Sequence, residues 1–376
     1  MILTQCPVCA AQLPHTSAKQ CSRCKTRYCG PECQKQHWEG GGHDQLCKKI
    51  KKAGGAEQYN ANSRYAEAVS VAAEACAEDT RGQTCYICTQ ALHWKTKEGL
   101  VRMCACRGTA GFAHVSCLAE QAKILYNEAE ENNLGVETKN ERWARWYACG
   151  LCKQQYHGVV WCALGWACWK TYVGRPEADW ARRLATGVLG SGLQDAARYK
   201  DALSVREAEL SMMRRVGDSE RNILAAQGNI ANTYRTLDRD EEALRTMRDV
   251  YSGYAKLEGE ECASTLQAAN NYALSLLDLR RFGEAKALLL KLTPVARRAL
   301  GESDAITFKI RGCYAEALYR DEGAKLDDLH EAVNTLEDTA RIARRVLGGA
   351  HPLTVGIDDE LRDARAALRA RETPSA

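Results

Sequence analysis

The residues of this sequence best suited to chemistry are cysteines at the spacing of metal ligands. Of its 19 cysteines, 17 lie within residues 1–168 and two in the remaining 208. An odd number of cysteines, repeated C-x2-C pairs and no N-terminal apolar signal segment favour metal binding over a disulfide scaffold. Because thiols persist in reducing compartments, we expect an intracellular protein, cytoplasmic or nuclear and not secreted.

The first group of candidate ligands occupies residues 6–47. Tetrahedral zinc takes four sulfur or nitrogen donors, and a short Cys-x2-Cys turn supplies two of them at once. Residues 1–52 have little hydrophobic periodicity, so we expect zinc to provide most of their folding free energy. Eight ligands predict two zinc sites, and they read, in order, Cys6-x2-Cys9, Cys21-x2-Cys24, Cys29-x3-Cys33 and His43-x3-Cys47.

This spacing, with the text YCGPECQKQHW of residues 28–38, resembles the MYND zinc finger. The gap before His43 is longer than usual for the family, and the glycines at 40–42 absorb the excess. His15 and His37 remain alternatives to His43. The resemblance implies two interleaved sites, one formed by Cys6, Cys9, Cys29 and Cys33 and the other by Cys21, Cys24, His43 and Cys47.

MYND fingers are binding modules, so the resemblance implies a partner that carries a short Pro-containing motif. Gln34 and Trp38 match the positions that line the peptide groove of the family. An exposed Trp suits a polyproline ligand, because that extended helix docks on aromatic surfaces. The alternative is that Trp38 packs the small core of the finger. The lysines within 48–52 are expected to form a solvated face rather than a nucleic-acid contact.

A second group of eight candidate ligands occupies residues 85–152, with 31 residues before its last pair. Its ligands follow the order of four cysteines, one histidine and three cysteines. This order and the text CACRGTAGFAHVSCL of residues 104–118 resemble the RING-CH domain of membrane-associated ubiquitin ligases. A PHD finger, which reads histone tails, is the alternative, and Trp146 is compatible with it. The RING-CH resemblance implies a cross-brace, with Cys85, Cys88, His114 and Cys117 on one zinc and Cys104, Cys106, Cys149 and Cys152 on the other.

A RING-CH domain implies a partner, an E2 ubiquitin-conjugating enzyme whose thioester the domain holds in a reactive geometry. Ile87 matches the apolar E2-contact position of the family, and Lys153 is placed to supply a cation against ubiquitin. Gln121 departs from the family, which usually has Trp there, and this loss weakens the expected E2 docking. The 31-residue gap before Cys149 is a second departure from the family, and we expect the polar stretch at 127–141 within it to loop out.

From residue 178 to 372 the sequence is helical in pattern and repeats itself. The dipeptide Glu-Ala recurs at 242, 284 and 331, at offsets of 42 and 47 residues. Such recurrence indicates a solenoid in which each unit buries its apolar face on the next. The texts RFGEA at 281–285 and VLGGAHPLT at 346–354 resemble the tetratricopeptide repeats of kinesin light chains.

The repeat resemblance implies a groove that binds a peptide of an unknown protein. Asn is intrinsically poor within helices, so Asn229 and Asn271 are candidate contacts to a peptide backbone. Inter-repeat packing is the alternative explanation for both.

Together these observations predict small zinc-stabilised modules, a MYND finger and a cross-brace RING-CH domain, followed by an all-α tetratricopeptide-type solenoid. The longest apolar run, at 159–169, is too short to span a bilayer, so no membrane partner is expected. The predicted divisions are a MYND finger at 1–52, a helical linker at 53–80, a RING-CH module at 81–158, a Trp-rich connecting helix at 159–177 and repeats at 178–372.

The net charge gives no argument for nucleic-acid binding. The formal value of +4 omits fourteen ligand thiolates and four Zn²⁺ ions, whose combined charge brings it to about −2. No Ser-His-Asp set or phosphate-binding glycine loop stands out, which argues against a metabolic enzyme.

The leading functional hypothesis is a soluble RING-CH-type E3 ubiquitin ligase that recruits substrates through its MYND and repeat domains. Such a ligase has no covalent catalytic residue. A non-catalytic zinc-finger adaptor is the main alternative, and a chromatin-associated regulator with a PHD-like finger is the weaker one.

Overall fold

The computed structural model of the chain describes residues 6–9, 11, 13, 19–349 and 351–372. The alternative ligand His15 lies outside these described residues. The chain divides into two compact units, Met1–Asp218 and Ser219–Ala376. In the part of the chain that is described, no helix is both long and apolar enough to cross a membrane.

The first unit begins with the small elements of the first zinc block. Its buried apolar side chains beside the ligand thiols include Leu13, Tyr28 and Ile50, which is a small core. A core of this size gives little hydrophobic stabilisation, so metal binding must hold this module together. The elements are the antiparallel strands β1 (Lys19–Gln20) and β2 (Arg27–Tyr28) and the helices α1 (Pro31–Glu39) and α2 (His43–Lys52).

Within residues 53–218, all of which are described, six further helices complete the first unit. The Trp-rich run forms α6, which packs against α3, α4 and α7 and buries Trp166 and Tyr172 almost completely. The helices are α3 (Ala56–Ala75), α4 (Val115–Glu131), α5 (Val136–Trp143), α6 (Gly158–Tyr172), α7 (Trp180–Asp195) and α8 (Tyr199–Val216), with a 3-10 turn at Ala144–Trp146.

Two glycines allow α6 and α7 to cross closely. A Cβ atom at Gly192 would lie 2.8 Å from the Trp161 carbonyl oxygen, and one at Gly165 would lie 3.0 Å from the Leu189 Cα. The two backbones therefore approach to a distance that only glycine permits. This packing ties α7 to the zinc-bearing unit, whose boundary at residue 218 falls inside the range predicted for the repeats.

The polar stretch at 127–141 does not loop out as expected, because most of it continues α4 or forms α5. Aromatic packing explains the difference. Trp143 meets Tyr126 edge-on with ring centroids 4.8 Å apart, and both rings are buried. Arg142 also donates to the Leu125 carbonyl at 3.0 Å. These contacts hold both ends of the stretch against the rest of the unit, so it folds as helix although its residues are mostly polar.

The second unit, so far as it is described, consists of three helix pairs and a final helix. The turns inside two pairs contain the left-handed residues Asp238 and Arg280, which are 42 positions apart. The second helices of three pairs end at Gly259, Gly301 and Gly348, with φ of 86°, 92° and 87°. Since positive φ favours glycine, each repeated glycine ends the second helix of its pair. The helices are α9 (Glu220–Arg235), α10 (Asp240–Glu258), α11 (Ala263–Asp278), α12 (Phe282–Leu300), α13 (Ala305–Tyr319), α14 (Leu326–Leu347) and α15 (Pro352–Glu372).

Candidate metal centres and binding surfaces

Four clusters of thiol and imidazole groups lie in the described part of the first unit. In each cluster the four donor atoms lie within 4.8 Å of one another, and such sulfur and nitrogen donors suit tetrahedral zinc. The first two clusters match the interleaved arrangement and the last two match the cross-brace. They are Cys6, Cys9, Cys29 and Cys33; Cys21, Cys24, His43 and Cys47; Cys85, Cys88, His114 and Cys117; and Cys104, Cys106, Cys149 and Cys152.

One backbone turn recurs at three of the Cys-x2-Cys pairs. The residue after each pair, which is Lys25, Thr89 or Lys153, is left-handed with φ of 62° or 63°. Its N–H donates to the carbonyl of the first cysteine of the pair at 2.8 to 3.0 Å. This turn folds each pair back on itself, so that both sulfurs point to the same side and meet one metal.

The second cluster is fully buried and takes His43 as its nitrogen donor. The His43 Nε2 lies 3.4 Å from the Cys24 sulfur. His37, the alternative, instead shares a hydrogen bond between its Nδ1 and the Tyr28 hydroxyl at 3.1 Å. The structure therefore brings His43 to the thiols, while His37 orients a buried tyrosine beside them.

The third cluster is completed by His114, the residue immediately before α4. Its Nδ1 lies 3.3 Å from the Cys88 sulfur and 3.6 Å from the Cys117 sulfur. Its Nε2 lies 3.3 Å from the Ala91 carbonyl oxygen. A carbonyl only accepts hydrogen bonds, so Nε2 carries the proton and donates, and the Nδ1 lone pair faces the metal position.

The turn at 93–98 has the shape of a zinc-binding turn but holds itself together without metal. The Lys97 N–H donates to the His93 carbonyl at 2.9 Å, and Lys97 is left-handed with φ of 59°. The Thr96 N–H donates to His93 Nδ1 at 3.1 Å, and its hydroxyl donates to Glu98 at 3.0 Å. Sequence reasoning missed this turn, because His-x2-Thr does not match a ligand pair.

A single arginine braces the loop at 104–106, which carries two ligands of the fourth cluster. Arg102 donates two hydrogen bonds to the Asp79 carboxylate, at 2.7 and 3.0 Å, and one to the Gly108 carbonyl at 2.7 Å. Its guanidinium also lies 4.1 Å from the centre of the Phe112 ring. Paired and stacked contacts of this kind fix the arginine in one geometry, so it anchors the segment that follows the two ligands.

The electrostatics of the thiols suit a divalent cation. Burial would raise the pKa of Cys6, but backbone N–H groups, first that of Cys29, lower it to about 6. Burial is likewise outweighed at Cys152, where the Gln154 N–H and neighbouring thiols lower the pKa to about 7. Burial raises the pKa of Cys104 well above its usual range. Thiolates this close repel one another, so their joint ionisation needs a cation such as Zn²⁺.

Two zinc-binding turns of the second block meet at α4. The N–H groups of Ile87 and Leu151 donate to the first cysteine sulfur of their own turns at 3.4 Å. Ile87 is half-buried, whereas Leu151 is 50% exposed. A Cβ atom at Gly150 would lie 3.8 Å from Gln121 Oε1, so α4 presents Gln121 beside the second turn. Sequence reasoning named Ile87 and Gln121 but missed Leu151.

The predicted peptide contacts of the first finger lie on α1. Gln34 and Trp38 are four residues apart, so both side chains share one face of the helix. The Trp38 ring lies 5.7 Å from the His43 ring between centroids, and the side chain is still 43% exposed. Trp38 therefore packs on a ligand and also presents an aromatic edge to solvent.

The predicted groove asparagines lie on the first helices of successive pairs. Asn229 of α9 is exposed, and the Asn271 side-chain oxygen on α11 accepts from the Gln267 amide at 3.0 Å. Asn270, next to it, is buried, and its side-chain oxygen has no hydrogen bond within the described residues. Whether these positions contact a peptide stays a prediction.

Comparison with known proteins assigns three parts of the chain to families. Residues 6–47 match the MYND finger, residues 85–133 the RING-variant domain and residues 223–261 the tetratricopeptide repeat. The pair Cys149 and Cys152 lies beyond the matched RING-variant range, and the structure brings it to the pair at 104–106. Trp146, which suggested a PHD finger, is buried against Tyr172.

No curated protein matches the sequence. Among solved structures, the chain is similar to a putative kinesin light chain with nearly identical TPR-like repeats from Podosopora anserina, at 22% identity and a TM-score of 0.44, over 51% of this chain and 88% of that one. It is also similar to BtubC (BKLC) from P. vanneervenii, at 14% identity and a TM-score of 0.42, over 70% of this chain and 94% of that one.

The fold and the sites define a class, a protein-interaction protein built from zinc fingers and helical repeats. In particular, the chain combines a MYND finger and a RING-variant domain with tetratricopeptide repeats, and its Cys/His clusters form zinc sites. The family resemblances, fold class and zinc cofactor predicted from the sequence are thereby confirmed.

Proposed function

We propose that this protein is a RING-type E3 ubiquitin ligase whose RING-variant domain binds a ubiquitin-charged E2 enzyme. One observation carries the proposal: in the second zinc block the first ligand pair clusters with the third and the second with the fourth. This cross-brace joins the turn at 85–88, which contains Ile87, the start of α4 and the turn at 149–152, which contains Leu151, into one rigid body. A RING ligase forms no covalent intermediate, so rigid positioning is the whole of its contribution to catalysis.

The candidate E2 surface has an apolar part and a cationic part. Leu151 and Ile87 supply apolar contact from the two zinc-binding turns, and burying apolar surface there favours association. Lys153 is exposed, so its ammonium group faces solvent. It is therefore available to contact ubiquitin or the E2 enzyme.

Substrate recruitment falls to the other two modules in this proposal. Gln34 and Trp38 of the MYND finger bind a Pro-containing peptide, and Asn229 and Asn271 of the repeats bind a second, unknown protein. Fluorescence anisotropy with Pro-containing peptides tests the first part. Trp38→Ala should abolish binding, whereas Gln36→Ala, on the same helix, should leave it intact. Equal binding by both variants would assign Trp38 to packing alone.

Ubiquitin-ladder formation by the purified full chain, with a panel of E2 enzymes, tests the ligase function. The wild-type chain should form a ladder with at least one E2. Ile87→Ala should lose the ladder while keeping all four zinc ions, whereas His114→Ala should lose the ladder and one zinc ion. Val136→Ala is a matched control, because Val136 is an apolar residue of α5 with 71% exposure. If no E2 enzyme yields a ladder, the ligase proposal is wrong.

A non-catalytic adaptor is the second candidate, and one observation favours it. Gln121 places a polar side chain where the RING-CH resemblance implies an apolar E2 contact. In an adaptor, the MYND finger binds its peptide through Trp38 and no E2 enzyme binds the chain. Peptide binding without any E2 binding would therefore select the adaptor over the ligase.

A further inference from the structure

The centre of the candidate E2 surface is polar and contains a cation. A Cβ atom at Gly150 would lie 3.7 Å from the Tyr86 hydroxyl, 3.8 Å from Gln121 Oε1 and 4.0 Å from Arg145 Nη1. These groups come from the first zinc-binding turn, from α4 and from the 3-10 turn. Gly150 has no side chain to fill the space between them. We call this set, Tyr86, Gln121 and Arg145 around Gly150, the Gly150 notch.

The cation of the notch lacks an acidic partner. Arg145 makes no ion pair with a carboxylate in the described part of the chain, and its Nη1 donates a long hydrogen bond of 3.4 Å to the Cys149 carbonyl. By contrast, Arg142, one helical turn earlier, pairs with Glu128 at 3.1 Å. A guanidinium has five N–H donors, so Arg145 retains unused capacity beside the exposed Leu151.

The notch also contains an unsatisfied hydroxyl. The Tyr86 oxygen is buried and has no hydrogen bond among the described residues. Buried polar groups are normally paired, and a group that is unpaired in the free protein can gain a bond when a partner docks. Because solvent does not reach the Tyr86 oxygen, an acceptor oxygen in the notch would pair with Arg145, and the Tyr86 hydroxyl would have to turn outward to join it.

We propose that the Gly150 notch selects E2 enzymes whose RING-facing loop presents a carboxylate. This inference rests on the proposed ligase function and specifies the partner further. Arg145 pairs with the carboxylate through parallel N–H bonds, which is the geometry that guanidinium groups favour. Lys153, at the end of the zinc-binding turn that contains Gly150, adds a second positive charge. Charge complementarity of this kind sets specificity and suppresses partners of the wrong charge.

Binding of E2 enzymes to the full chain tests the notch, with the enzymes grouped by whether the RING-facing loop presents a carboxylate or an apolar side chain. The wild-type chain should bind the carboxylate group at least about tenfold more tightly. Arg145→Gln should abolish that preference while the zinc content stays unchanged. Arg107→Gln is the matched control, because Arg107 is an exposed arginine of the same domain without an ion pair among the described residues; it should keep the preference.

Two further variants separate recognition of the E2 enzyme from the structural role of the Arg145–Cys149 bond, the first by keeping the bond and the second by a charge exchange with the partner. Gln121→Trp, which leaves that bond in place, should shift the preference to the apolar group. Arg145→Glu should regain binding to an E2 enzyme whose loop carboxylate is replaced by Lys.

Equal wild-type affinity for the two groups, or a preference that survives Arg145→Gln, would overturn the notch proposal and leave the ligase function standing. If the wild-type chain binds no E2 enzyme of either group, both proposals are wrong.

Discussion

The carboxylate of Glu98 accepts hydrogen bonds from both the N–H and the hydroxyl of Ser116, at 2.7 and 2.8 Å. Ser116 lies in the first turn of α4, two residues after the ligand His114, where helix N–H groups lack helical partners. The helix dipole also favours a negative charge there. The Tyr65 hydroxyl of α3 bonds to the same Ser116 hydroxyl at 2.9 Å. Through these bonds the Glu98 carboxylate links α3, the turn at 93–98 and the helix that positions a zinc ligand.

Replacing Glu98 by Ala should lower the thermal midpoint and speed zinc loss to a chelator. Losing the charged acceptor leaves the Ser116 N–H without its partner, at a cost of about 1–3 kcal/mol. A chromophoric zinc chelator measures the release rate. Glu120→Ala, on the same helix as Ser116, is the control. The exposed ion pair of Glu120 with Lys123 contributes less than about 1 kcal/mol to stability. Identical release rates for the wild-type and Glu98→Ala chains would contradict the linkage.

Gly192→Ala should destabilise the first unit by separating α6 from α7. The added methyl group would lie 2.8 Å from the Trp161 carbonyl oxygen, so the helices must shift, at a typical cost of about 1–3 kcal/mol. Scanning calorimetry detects the change. Gly283→Ala in α12 is the matched control, since nothing lies within 4 Å of its Cβ position. The control should instead stabilise the second unit by about 0.5–1 kcal/mol, and an equal loss in both variants would refute the close crossing.

Glu360 should make the second unit less stable as pH rises. Burial, followed by the charges of Glu316 and Asp363, raises the pKa of Glu360 from 4.5 to about 7. The folded chain therefore keeps a proton that the unfolded chain releases between these two values. Stability accordingly falls as pH rises from about 4.5 to 7 and then levels off.

Glu360→Gln removes this ionisation while keeping the shape of the side chain. The variant should have a higher midpoint than the wild type at pH 8, and the difference should disappear near pH 4.5. Calorimetry of both chains at several pH values provides the measurement. Glu284→Gln is the control, because its hydrogen bond with Arg281 lowers the pKa of Glu284, so this variant should show no such gain. A difference that does not change with pH would contradict the assignment.

The zinc clusters were accessible from the sequence because ligand spacing fixes local geometry. A Cys-x2-Cys pair must fold back to point both sulfurs at one metal, so Cys85 and Cys88 predict a turn without knowledge of the rest of the chain. The repeats were similarly accessible, because the Glu-Ala pairs at 242 and 284 recur 42 residues apart and a fixed period of this kind is the signature of stacked helical units.

The remaining features depend on contacts between distant residues. The helical path of 127–141 requires Tyr126 to meet Trp143, and a local reading of polar residues gives a loop instead. The notch requires Gln121 to lie beside Gly150, which is 29 positions later in the sequence. The turn at 93–98 replaces a metal by a hydrogen bond between His and Thr, so its sequence contains no ligand pattern.

The zinc content of the intact chain tests the central claim, that four metal sites build the two N-terminal modules. Native mass spectrometry of the purified full chain should find four zinc ions. His43→Ala and His114→Ala should each carry three, whereas His37→Ala should keep four, because His37 bonds to Tyr28 rather than to a thiol cluster. A wild-type chain with three zinc ions or fewer, or a His37→Ala chain that loses one, would contradict the assignment of the sites.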